Sequence, residues 1–153
     1  MNAIEEKVQY IVKETLKLKS KLVDEEVTPI DWVAIFAQSA SEYDSLLKEN
    51  KEMGSVVKDT KTGPIFKLNT PIETEAGGLQ IIKIRKPDKT RPQRGDADFR
   101  LADYEEFKKK HLADNHFKLI EREDYEMIEL KDDKFDVLVY FSNPPISEVL
   151  GLR

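Results

Sequence analysis

Two stretches of this chain, 30–87 and 95–142, pass through the same succession of hydrophobic patterns, and that recurrence narrows the possible folds more than any other feature. In the first, an apolar run over 30–37, rich in β-branched and aromatic residues, reads as a buried strand. Ser41 with Asp44 makes a helix-capping signal. Tyr43, Leu46 and Leu47 give the short helix after it an apolar side, and Gly54 ends it. Strands follow at 55–58, 64–70 and 79–86, with a turn at 61–63 and a cluster of chain breakers at 71–78. The second stretch begins again with the alternation Asp96, Ala97, Asp98, Phe99, Arg100, Leu101, whose packing face is Ala97, Phe99 and Leu101. Asp103 with Glu106 caps a helix that shows Tyr104, Phe107 and Leu112 on one side, and strands at 117–122, 125–130 and 135–141 complete the unit. Each half is β-α-β-β-β. Two independent domains of that length would be small, so the halves are expected to pack as one α+β domain.

Around the repeated units lie a helix over 2–22 and a short tail. Ile4, Val8, Ile11, Val12 and Leu16 recur at helical spacing, and Asn2 with Glu5 forms a capping box. The segment 24–29 breaks that pattern. Pro144 and Pro145 stop the last strand, leaving 146–150 for a helical turn or two. The expected organisation is a single domain over 1–153: an N-terminal helix (1–23), modules at 30–87 and 95–142, and a tail over 143–153.

The opening hairpin indicates which side of the sheet is functional. Phe66 and Leu68 share a face with Ile82 and Ile84, an apolar surface for helices. The opposite face carries Ile65, Lys67 and Asn69 on one strand and Ile81, Lys83 and Arg85 on the other, which suits the wall of a polar cleft. Composition then removes whole classes of chemistry. With no cysteine there is no disulfide, thiolate nucleophile or cysteine-ligated metal, and two histidines leave little for a multi-histidine metal site. The net charge of −5 argues against non-specific nucleic-acid binding. No apolar run is long enough for a signal peptide or membrane span, so a cytoplasmic location is expected. Gly-x-Ser-x-Gly, phosphate-loop and dinucleotide patterns are absent.

Paired β-α-β-β-β modules resemble the vicinal-oxygen-chelate superfamily, the fold of glyoxalase I and extradiol dioxygenases. Within it, three stretches resemble the YecM-like branch: Asp31-Trp32-Val33-Ala34-Ile35-Phe36, Gly63-Pro64-Ile65-Phe66-Lys67-Leu68 with Pro71, and the ending from Phe141 to Leu150. The resemblance implies a curved, glyoxalase-like sheet around a cleft, where such enzymes hold a divalent metal with inward-facing His and Glu. It also implies that the ligand positions have changed. The family's first-strand histidine falls on Trp32, a glutamate falls on Lys83, and the terminal histidine falls on Ser142. Matching the acidic position of the remaining strand places Asp98 at a glutamate and Asp96 at a histidine. Lysine and tryptophan do not ligate hard divalent ions, so the metal site is expected to be lost, with no cofactor in its place.

Two readings of the altered cleft stay open. In one, Lys83, Arg85 and Arg100 hold a small carboxylate or phosphate between apolar walls of Trp32, Phe36 and Tyr140. In the other, Lys83 pairs with Asp98 and Arg100 with Asp96, closing a dead site with ion pairs. On residue types alone the second is favoured, and Trp32 reads more readily as core than as a stacking platform. The connector 86–94, with Lys86, Lys89, Arg91, Arg94 and two prolines, reads as an extended solvated loop in preference to an anion contact at the cleft mouth. His111 and His116 read as a helix-terminal cap and a loop residue, in preference to a surface metal site with Asp114. Burial of Lys83 beside Arg85 would lower its pKa and favour imine chemistry with a carbonyl substrate. The leading expectation is a metal-free, glyoxalase-like protein, a monomer or weak homodimer, that binds a small anion or serves no catalytic role. The competing ones are a divalent-metal-dependent lyase, isomerase or dioxygenase, and an interaction module using the N-terminal helix.

Overall fold

A computed structural model describes residues 1–24 and 28–152. Its elements follow the repeated order: α1 (Ala3–Leu22), then β1 (Ile30–Phe36), α2 (Ala40–Met53), β2 (Gly54–Lys58), β3 (Ile65–Thr74) and β4 (Gly77–Arg85). The second set is β5 (Gly95–Phe99), α3 (Tyr104–His111), β6 (Phe117–Glu121), β7 (Glu126–Leu130) and β8 (Val137–Asn143), with a closing turn α4 (Ile146–Val149). All eight strands form one sheet in the order β2-β3-β4-β1-β5-β8-β7-β6. In each module the last strand pairs parallel to the first, β4 with β1 and β8 with β5, while β1 and β5 run antiparallel at the centre. Two β-α-β-β-β units thus meet edge to edge as a mixed α+β fold around a cleft.

Alternation along the strands sorts the side chains between two faces. Val33, Ile35, Phe66, Ile82, Ile84, Ala97, Phe99, Val139 and Phe141 are buried in the main core, which also takes Ile4, Val8, Ile11, Val12 and Leu18 from α1. That stripe is what holds α1 in place: it contacts β1, β3, β5 and β8, and so crosses both modules. The capping box of Asn2 and Glu5 opens it. The helix α1 packs tightly over Gly95, where a Cβ would meet Ala34 O and, at 2.5 Å, the Ile11 side chain.

Several boundaries differ from those read in the sequence. The helix α2 is capped by Ser39, which accepts the Glu42 N–H at 3.1 Å, and not by Ser41. Ser39 has its own acidic residue three positions on, and Glu42 accepts from the Gln38 N–H at 2.8 Å. The breaker cluster 71–78 is largely strand. The register shifts between Lys67 and Ile72, which places Pro71, with no N–H to give, where ladder pairing is interrupted. The turn is only Glu75 and Ala76 between Thr74 and Gly77, and Gly77 has φ +111. The strand β5 ends at Phe99, since the Arg100 N–H donates to Pro29 O. The pattern break expected over 24–29 includes 25–27, which lie outside the described residues, as does residue 153 of the tail.

Candidate functional site: the concave face of the sheet

The concave face is built from cross-strand rows. Ala34 lies opposite Lys83 of β4 on one side and Asp96 of β5 on the other, so one row reads Lys83, Ala34, Asp96. In the next row Trp32 lies opposite Asp98, and Asp98 opposite Tyr140. Lys83 and Asp96 are therefore two strand spacings apart, about 9–10 Å between backbones. The residue between them is the smallest side chain on β1, and the space above it is a cleft of about 320 Å³. Arg85, Arg91, Ile120, Met127 and Tyr125 complete its walls.

Burial sets the electrostatics of the cleft. Asp98 is 2% exposed; its Oδ2 accepts from Ser142 Oγ at 2.6 Å and from Trp32 Nε1 at 3.0 Å. Asp96 is 8% exposed. The Oδ1 atoms of both carboxyls lack a hydrogen-bond partner. Removal from water pushes Asp96 up to about 7, reinforced by Asp98 and opposed by Lys83, Arg85 and Arg91. Burial also pushes Asp98 up to about 7, and the bonds from Ser142 and Trp32 restrain the rise. Lys83 is held below the usual lysine value by burial first and by Arg85 second, with Asp96 acting the other way. The Tyr140 hydroxyl, raised mainly by burial, donates to Glu129 Oε2 at 2.7 Å and accepts from Arg91 at 3.3 Å.

Trp32, Lys83, Arg85, Asp96, Asp98 and Tyr140 thus converge. Phe36 lies under Arg85, whose guanidinium sits 5.4 Å from the ring centroid, and Ser142 stands behind Asp98. Lys67 shares the face but is exposed, outside the cleft lining. Arg100 is elsewhere: it donates to Asp31 Oδ1 at 3.0 Å and to Ser147 Oγ at 3.1 Å, because the strand ends before it and its side chain turns to the buried Asp31. Neither ion pair of the closed-site reading forms. Among the described residues Lys83 has no ion-pair partner, and the acceptor atom of Asp98 is taken by Ser142 and Trp32.

Arg91 is the main cleft residue that sequence reasoning left outside. Asp88 Oδ1 accepts from both the Thr90 N–H at 2.9 Å and Thr90 Oγ1 at 2.6 Å, a turn that brings Arg91 back over the sheet. The Pro-Asp-x-Thr run was the available signal. The histidines are separated: His111 is buried between Phe107 and Phe117, at ring distances of 4.3 and 4.8 Å, whereas His116 Nδ1 lies 2.7 Å from Asp114. No group of three His, Cys, Asp or Glu side chains able to hold a metal ion exists among the described residues. The cleft brings two carboxyls to face lysine and arginine, a donor set that does not fit a divalent cation.

No protein-family model matches the chain, and no curated protein matches it in sequence. A solved structure described as "Structural Genomics, Protein EC4020" superposes with a TM-score of 0.72 at 14% identity, covering 93% of this chain and 86% of that one. A glyoxalase/bleomycin resistance protein/dioxygenase superfamily member from Vibrio splendidus 12B01 aligns with a TM-score of 0.47 at 8% identity, over 75% of this chain and 97% of that one. The first likeness is one of fold alone. With the paired-module topology, it describes a glyoxalase-like α+β sheet.

Proposed function

We propose that this is a vicinal-oxygen-chelate-like protein, related to the YecM-like branch, that has lost the metal site and binds a small carboxylate or phosphate in its cleft. The observation that carries this reading is Lys83: half-buried, without an ion-pair partner among the described residues, and facing the same cavity as Arg85 and Arg91. A buried ammonium without a counter-charge is costly, and an anionic ligand supplies the charge and hydrogen bonds that the fold withholds. Trp32, Lys83 and Ser142, standing where the resemblance places ligands, favour loss of the metal. A second reading, a divalent-metal enzyme using the carboxylates of Asp96 and Asp98, draws on their unpaired Oδ1 atoms and would need a further ligand that no described residue supplies beside them.

Thermal unfolding of chelator-treated protein separates the two, because binding to the native state alone raises the melting temperature by mass action. Phosphate or a dicarboxylate is expected to stabilise the wild type and to leave Lys83→Met unmoved, while Mg, Mn, Fe(II), Ni and Zn produce no shift. Stoichiometric metal binding abolished by Asp96→Asn and Asp98→Asn would install the enzyme reading instead. The interaction-module reading rests on α1, whose apolar stripe is already buried in the core. Among the described residues no helix is long and apolar enough to cross a membrane. We retain a monomer or weak homodimer, outside nucleic-acid binding and in the cytoplasm, as parts of the proposal.

A further inference from the structure

The cleft has two chemically opposite walls, and an anion satisfies only one. On one side, from β4, are Lys83 and Arg85; on the other, one small residue away, are Asp96 and Asp98, with Arg91 beyond them on the Tyr140 hydroxyl. These acids are at least nine-tenths buried, line the cavity, and each has an oxygen with no hydrogen-bond partner. Resting on the anion-binding reading, we infer that the ligand is bifunctional: a small acid whose carbon skeleton also carries a hydrogen-bond donor, an amine or a hydroxyl. Its carboxylate meets Lys83 and Arg85, and its donor meets the carboxyls of Asp96 and Asp98.

The two acids are not equivalent. Asp98 Oδ2 is committed to Ser142 and Trp32, so its orientation is fixed and Oδ1 is left without a partner. Asp96 has no such restraint among the described residues, and sits in the row of Lys83 with Ala34 between them. A ligand lying over Ala34 spans that gap. A plain carboxylate would meet the acid wall with acceptors facing acceptors, which favours only the protonated acids. An ammonium favours the ionised ones, whereas a hydroxyl donates to either form. The charged or titratable groups facing the pair are Lys83 and Arg85 from β4, Arg91 from the connector and Tyr140 from β8. Arg122 and Tyr125 face it from the β6–β7 turn, and Asp31 acts on Asp98 from β1.

The test is isothermal titration calorimetry with three matched series: propionate, lactate and L-alanine; succinate, L-malate and L-aspartate; glutarate, 2-hydroxyglutarate and L-glutamate. In at least one series the donor-bearing acid is expected to bind about tenfold tighter than the unsubstituted acid. Asp96→Asn or Asp98→Asn should bring that ratio to near one while leaving the unsubstituted acid bound. Asparagine at 98 still offers an oxygen to Ser142 and Trp32, and turns the unpartnered acceptor into a donor. Lys83→Met should weaken every member of the series about tenfold. If amine is the donor, its advantage grows between about pH 6 and pH 8; if hydroxyl is the donor, the advantage varies less. Equal affinity across every series, with Lys83→Met still effective, overturns the bifunctional ligand and leaves the anion site standing. No binding by any acid together with none by inorganic phosphate, or binding indifferent to Lys83→Met, overturns both, whereas binding of phosphate alone overturns the donor-bearing acid and leaves the anion site standing.

Discussion

Asp96 and Asp98 are two carboxyls removed from water on the same face of one strand, and that makes them a cost to the fold as well as a site. Both rise to about 7 in the folded chain against the ordinary carboxyl value of about 3.8, with burial the main cause. The folded state therefore holds protons that the unfolded chain has already released. A group raised in this way contributes its full stability below the unfolded value, near pH 4, and loses it as pH rises to about 7. Stability is expected to fall between about pH 4 and pH 7 by a few kcal/mol. Carboxyls held low by neighbours, such as Glu126 beside Lys108 and Tyr104, act below that window. Asp96→Asn should flatten the decline and stabilise the protein at about pH 8 by roughly 1–3 kcal/mol, as seen in wild-type enzymes that keep unpaired polar groups for function. Urea unfolding at the two pH values measures this directly. An identical decline in the variant would mean that Asp96 is ionised in the fold. Removal of the Lys83 charge is a companion case: Lys83→Met, which replaces a half-buried ammonium by an apolar chain of similar length, is expected to be neutral or stabilising by about 1 kcal/mol in the absence of ligand.

At the scale of elements, α4 is held by one buried cluster. Asp31, 2% exposed at the start of β1, accepts from the Ser147 N–H at 3.0 Å, from Ser147 Oγ at 2.5 Å and from Arg100 Nε at 3.0 Å. A four-residue helix has no stability of its own, so these bonds and the burial of Ile146 fix the tail against the sheet. Asp31→Ala should cost about 2–4 kcal/mol, since it leaves Arg100 and Ser147 without their acceptor, whereas Ser147→Ala should cost about 1 kcal/mol. Far-UV denaturation curves would rank them; equal losses would mean that Arg100 contributes little. The same cluster shows what sequence could and could not disclose. The β-α-β-β-β succession and the apolar stripes were legible because they are periodic, and Asn2 and Asp103 because capping is local. Arg100 was misplaced because a strand of even alternation gives no sign of where it stops. Pro71 reads as a breaker, though a register shift lets it stay in the strand. Arg91 lies in a loop, where only the Asp88–Thr90 turn specifies direction. The closed pairs failed for three-dimensional reasons: β1 separates Lys83 from Asp98, whose Oδ2 is held by Trp32 and Ser142, and Arg100 reaches Asp31 in place of Asp96; these are facts of strand order and strand end, absent from the spacing of residues in the chain.

Taken whole, the molecule joins two modules through the β1–β5 pairing, and α1 is fastened across that seam. Neither module has an independent core, since Phe99 and Phe141 of the second are buried in the same cluster as Ile35, Ile82 and the α1 side chains. A chain built this way should unfold as one unit. The sole tryptophan makes this testable, because Trp32 stands at the seam, bonded through Nε1 to Asp98 of the other module. Its fluorescence reports the cleft and the module junction together, while far-UV ellipticity reports all the helices and strands. The two probes are expected to give coincident urea transitions. A carboxylate that engages the cleft should shift both by the same amount, since it binds the native state alone. If tryptophan changes first, the cleft opens before the sheet melts, and the concave face is then a locally unstable region of the fold. That outcome would place the unpaired acids and Lys83 at a site that must be ordered by what it binds, and ligand should then delay the fluorescence transition more than the ellipticity one.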